Sequence, residues 1–168
     1  MSKLFLFGIG GSGARVIKSL VMLMASGIEM NCEEVVPIII DPDRAGADLN
    51  RTLKLIDDYR RVHSQLNDYQ DKDFFKTKIS SLNEVITQHG NETNVLDGFR
   101  FELDGIQNDR FNEFIDFDNL DPNNKDLTSL LFSDANLNAE LEVGFKGNPN
   151  IGSVILNQFS KSYEFESF

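Results

Sequence analysis

The chain has 168 residues, the length of one ordinary domain, and its 40% apolar residues and 14 phenylalanines are enough to build a core. Its formal net charge of −11, with no run of lysine or arginine, excludes non-specific nucleic-acid binding, because a phosphate backbone repels an acidic surface. The single cysteine, Cys32, excludes an intramolecular disulfide, and two histidines leave no dense metal-ligand set.

Leu4–Phe7 is a short apolar run before glycines and reads as a strand buried on both faces, as in a parallel sheet. It is too short for the core of a signal peptide. Ser12–Ser26 reads as a helix: Ala14, Ile17, Val21 and Met24 recur at helical spacing, Leu20 and Leu23 widen the stripe, and Gly27 supplies the stop. Lys18 interrupts this apolar stretch, which is shorter than the about 20 residues a bilayer needs. The expectation is a cytoplasmic protein with no membrane partner. Val35–Ile40 is a second, β-branched strand, where Pro37 predicts an edge position or a bulge. Asp43 is placed to cap a helix running to Leu66, with Leu49, Leu53, Ile56 and His63 on its apolar stripe.

Beyond Leu66 the texture changes. Asn67–Asp73 reads as a loop and Phe74–His89 as a helix stopped by Gly90-Asn91. Phe99, Phe101 and Leu103 alternate with other residues as in a half-buried strand, Asp109–Asp116 suits a short helix, and Asp134–Gly144 is ambiguous. The stretch Gly147–Gly152 reads as a turn or loop before a helical pattern over Ser153–Phe159. No later segment reads as a third parallel strand. The fold class is therefore α/β: a Rossmann-like βαβ unit with a glycine-rich loop over residues 1–66, then a less regular α+β segment over 67–168 that covers it. The domain is expected to be incomplete, with the chain stopping short at its C-terminal end.

The chemistry is concentrated in Gly8-Ile9-Gly10-Gly11-Ser12-Gly13-Ala14-Arg15, a G-x-G-x-x-G pattern set between a strand and a helix. Gly8 would allow the tight turn. Gly10 and Gly11 would let backbone N–H groups approach a phosphate, Gly13 would let helix pack closely on strand, and Ser12 would add a hydroxyl. Arg15 reads as a solvated side chain or as one leaning toward phosphate. Without Gly-Lys-Ser/Thr this is not a P-loop. The other reading is a tight strand–helix junction that binds nothing. Asp41 ends the second strand, where dinucleotide folds carry the acid that accepts a ribose hydroxyl; turn formation is the other reading for it. The acid-rich stretch Asp116–Asp126 lacks the alternating ligands, central glycine and terminal Glu of an EF-hand and reads as a solvated loop.

Lys3–Val16 resembles the first strand and first glycine loop of the tubulin-like GTPase superfamily, closest to bacterial tubulin-like proteins, and Val36–Asp43 resembles the second strand that follows there. Gly147–Ser153 also looks like a stretch of that domain. The resemblance implies GTP or GDP as ligand and hydrolysis completed between subunits of a filament, hence self-association. Only the first loop carries over, at Gly10, Gly11, Ser12 and Gly13. The second, Gly-Gly-Gly-Thr-Gly-type loop is missing, as is the catalytic loop at the polymer interface. Asp116–Asp121 has a faint look of the latter but reads as an acidic surface turn. No catalytic residue follows, and this chain by itself is not expected to hydrolyse GTP. A second resemblance, through Gly8–Gly13, Asp41, Asp43 and Leu49-Asn50-Arg51, is to ubiquitin-activating-type adenylating enzymes, which implies ATP; a plain NAD-binding Rossmann domain is the third alternative. An assembly domain with a purely structural glycine turn is the remaining one. Phe159, Phe165 and Phe168 crowd the C-terminal end and would favour self-association.

Overall fold

The structure is a computed structural model describing residues 2–66, 73–87, 98–101, 103, 106, 109–142, 144–145 and 147–157. It divides into two compact units, Met1–Glu102 and Leu103–Phe168.

The first unit is α/β. Its elements are β1 (Lys3–Ile9), α1 (Gly10–Ala25), β2 (Glu34–Ile40), α2 (Ala47–Gln65), β3 (Lys78–Ile79), α3 (Leu82–Thr87) and β4 (Arg100–Phe101). β1 and β2 run parallel and in continuous register, from Lys3↔Glu34 to Ile9↔Ile40. The helix stripe read from the sequence is buried at its centre: Ala14, Ile17, Val21 and Met24 form a core with Val35, Ile39, Leu49, Ile56, Tyr59, Ile79 and Phe99, and Leu4, Leu6 and Leu20 pack against it. Leu23, read as widening the stripe, is instead exposed. α1 closes with Gly27 at positive φ, its N–H bonded to Met24 O and that of Ile28 to Leu23 O. This is the paired C-terminal closure that glycine favours.

Three expectations need correction. β1 is not buried on both faces: Leu4 and Leu6 face the helices, while Phe7 and Ile9, which alternate to the other face, are 44% and 43% exposed. The unit does contain further parallel strands, since β3 and β4 both pair with β2. β3 has two residues, too short to show a period, and the helix read over Phe74–His89 is β3 followed by α3 among the described residues. β4 falls within the strand read over Phe99–Leu103, but it is buried rather than half-buried, Arg100 included. Finally, Pro37 sits neither at an edge nor in a bulge. β2 is buried throughout and pairs on both sides. Ser80 N–H donates to Val35 O and Ile39 N–H to Phe99 O, so residues 35, 37 and 39 turn their polar groups toward the β3/β4 side. β3 pairs only with Glu34 and Val35, and β4 only with Ile39 and Ile40. Pro37 falls between the two, where its missing N–H breaks no rung.

The second unit is helical and less regular: α4 (Phe111–Phe114), a 3₁₀ turn over Phe117–Asn119, α5 (Pro122–Leu131), α6 (Asp134–Leu137) and α7 (Pro149–Leu156). Phe111 stacks edge-on against Phe132 at 4.8 Å between ring centres. The 3₁₀ turn and the exposed Asp118 fit the acidic surface turn read there. α5 was not foreseen, although Asp121 accepts from Asn123 and Asn124 N–H and Pro122 takes the first helical position. Nor is Gly147–Gly152 all loop: Asn148 caps α7, which starts at Pro149. The calls on 67–72, on Gly90-Asn91 and on Phe159, Phe165 and Phe168 lie outside the described residues.

Candidate functional site

The glycine turn lies at the C-terminal ends of two adjacent parallel strands. Because Ile9 pairs with Ile40, the start of α1 and the segment Asp41-Pro42-Asp43 leave the sheet side by side. That end of a parallel sheet is where open α/β folds hold their ligands.

The four glycines of the turn have different reasons to be glycine. A Cβ on Gly8 would lie 2.5 Å from Ile17 Cδ1, and one on Gly13 would lie 2.6 Å from the carbonyl carbon of Gly8. These two let helix and strand touch through bare backbone. The expected role of Gly13 therefore fits, whereas Gly8 is a buried strand residue in close packing rather than the turn itself. Gly10 has φ +63°, the left-handed region that favours glycine. Gly11 has neither reason: its φ is ordinary and a Cβ there would meet nothing within 4 Å. α1 is preceded by Ile9, which has no side-chain oxygen to cap it, so that residue leaves the first-turn N–H groups untaken.

Ser12 is exposed, and its Oγ accepts from Arg15 Nη2 at 3.2 Å. Arg15 Nε also lies 3.6 Å from Asp48 Oδ2 of α2. Arg15 thus runs across the surface of the helix pair. Beneath it, Thr52 is fully buried with Oγ1 2.7 Å from Asp48 O and 3.0 Å from Ala14 O. Asp41 is buried, and its Oδ1 accepts from Asp43 N–H at 3.1 Å. Burial, above all, pushes its carboxyl above the ordinary range. The charge of Asp43 adds to this, while the Asp43 N–H and the Arg100 guanidinium act the other way. Asp43 Oδ1 in turn accepts from Ala45 N–H at 3.0 Å, and the residue capping α2 is Gly46, not Asp43. Asn50 and Arg51 are exposed on α2.

Thr52, Asp48 and Arg100 were missed in the sequence. The buried stripe of α2 is Leu49, Thr52, Ile56 and Tyr59, and its period would have revealed Thr52 had the hydroxyl residues been admitted to it. In the second unit, a concavity of about 420 Å³ is lined by Asp109, Arg110, Glu113, Glu140 and Glu142. Four carboxylates around one arginine repel a phosphate. Among the described residues, no group of three His, Cys, Asp or Glu is placed to hold a metal ion. No helix among them is long and apolar enough to cross a membrane. No protein-family model, curated protein or solved structure matches the chain.

Proposed function

We propose that this chain is a cytoplasmic nucleotide-binding module of the tubulin-like kind, a Rossmann-like unit that holds the phosphates of GTP or GDP on Gly8–Gly13. The observation that carries the reading is Gly11, a residue without a side chain that neither backbone conformation nor packing requires. A ligand approaching the backbone supplies the missing reason. In this reading the N–H groups of Gly10, Gly11 and Gly13 and the hydroxyl of Ser12 meet the phosphates, with the positive end of α1 behind them. Gly8 keeps the turn close to the sheet, Arg15 follows one turn further along α1 beside Ser12, and Asp41 accepts a ribose hydroxyl. Binding is assigned to this chain; hydrolysis is not, because no residue with a catalytic role has been identified. Self-association accompanies the reading, as the resemblance implies.

Thermal unfolding with GTP, GDP, ATP and NAD tests it. Nucleotide at about 100 times Kd stabilises the folded state by about 2.7 kcal/mol, readily seen as a rise in Tm. A rise with GTP and GDP is expected. A response to ATP or NAD alone would favour the adenylating or dinucleotide alternative, and silence toward all four would leave the turn a structural junction. Gly11→Val sharpens the test: it has room to fold, and its side chain would occupy the phosphate's place. Unchanged affinity in a folded Gly11→Val chain would sink the cradle.

A further inference from the structure

We propose that Thr52 is a positioning residue, which from inside α2 sets the orientation of the first turn of α1 and with it the amides of Gly10 and Gly11. The inference rests on the nucleotide reading of that turn. A threonine inside a helix ordinarily returns its hydroxyl proton to the carbonyl four residues back. Thr52 has that partner, Asp48 O at 2.7 Å, but Oγ1 also lies 3.0 Å from Ala14 O, 38 residues away in sequence. The single proton is shared between the two helices. Ala14 immediately follows the last glycine of the turn and is itself fully buried.

The outer side of the same turn is tied to α2 as well, through Arg15 to Asp48 at 3.6 Å. That pair is weak by comparison, because Arg15 is 63% exposed and water screens it. The buried hydroxyl is the directional tie: apolar packing of Ile17 and Val21 against Leu49 and Ile56 holds the helices together but does not fix rotation about their axes. A turn that must present bare N–H groups to a phosphate depends on that rotation, since hydrogen bonds weaken steeply off axis.

The test uses the full chain and four variants, with GTP affinity measured by calorimetry and backbone resonances of Gly10–Ala14 by NMR in the absence of nucleotide. Thr52→Val keeps the shape and removes the hydroxyl. It is expected to weaken GTP about tenfold and to shift the Gly10–Ala14 resonances. Thr52→Ser is expected to restore affinity to within about twofold. Tyr59→Phe, also on α2, removes the bond from the Tyr59 hydroxyl to Thr77 O just before β3; it controls for lost stability and is expected to leave affinity unchanged. If Thr52→Val does not fold, Thr52→Ala, which removes the hydroxyl with the γ-methyl, replaces it under the same criteria. Native affinity and unmoved resonances in the folded variant would overturn the proposal while leaving nucleotide binding intact. A wild-type chain that binds no GTP would instead overturn the nucleotide reading; the resonances would then decide whether Thr52 orients the turn.

Discussion

At the scale of single residues, the turn separates glycines required by the fold from one that is not. Gly13→Ala places a methyl group against backbone, which cannot yield as a flexible side chain does, and Gly8→Ala meets Ile17 Cδ1 and the backbone of Gly13. Each is expected to cost about 1–3 kcal/mol or more, as overpacking does. Gly11→Ala sits in the first turn of a helix with open space around it and is expected to gain about 0.5–1 kcal/mol, the usual advantage of alanine over glycine. Urea denaturation of the three variants measures both, and a Gly11→Ala loss equal to that of Gly13→Ala would contradict the distinction. The pattern G-x-G-x-x-G was visible in the sequence, but the division of labour within it was not. Nothing in the letters says that a Cβ on Gly8 or Gly13 would run into the backbone of the other, at 3.2 and 2.6 Å, while one on Gly11 would meet nothing.

At the scale of elements, the sheet is tied at its base by one carboxylate. Glu34 opens β2 and lies 3.4 Å from Lys3 Nζ of β1 and 2.7 Å from Lys78 Nζ of β3, and it also accepts from the Ser80 hydroxyl. Burial alone would raise its pKa. The bonds from Lys78 and Ser80, with the charges of Lys78 and Lys3, outweigh burial and hold it below the ordinary 4.5. An acid with a lowered folded pKa adds stability above its unfolded pKa and loses it as pH falls through the folded value. Glu34→Gln is therefore expected to be less stable by about 1–3 kcal/mol at pH 7. The gap to wild type should close as pH drops below about 4.5, followed by urea denaturation across pH. A gap independent of pH would rule out this account. The elements legible beforehand were the ones with a period: β1, α1, β2 and α2. β4 lies inside the strand read from the alternation of Phe99, Phe101 and Leu103, whereas β3 escaped because two residues have no period, and α5 because its caps lay in a stretch read as a solvated acidic loop. The stripe of α2 read from the sequence, Leu49, Leu53, Ile56 and His63, passes over Thr52 and Tyr59, which the structure buries in place of His63. Tyr59 is buried, its hydroxyl donating to Thr77 O at 2.7 Å and burial pushing its pKa up to about 12.

For the whole molecule, a net charge of −11 opposes association while exposed apolar side chains favour it. Val16 and Leu23 of α1 and Leu127, Leu130 and Leu131 of α5 are among the exposed residues, Leu130 at 84%. Salt shortens the reach of the repulsion to about 8 Å at 0.15 M and leaves the apolar attraction in place. Mass measured by light scattering is therefore expected to rise with protein concentration, and more steeply with added salt. A monomer at high concentration and high salt would refute the self-association that accompanies the proposed function. The attachment of distant parts of the chain to one strand also depends on Pro37. The rung of the ladder after Ser80 N–H to Val35 O would need an N–H from residue 37, and proline has none. A two-residue advance of β3 along β2 would keep its side chains on the same face and so escape the usual penalty for a slip. Here it would run into a missing donor. Pro37 is thus a stop in the register, reserving the start of β2 for one two-residue strand and its end for the other, beside the seven-residue pairing with β1.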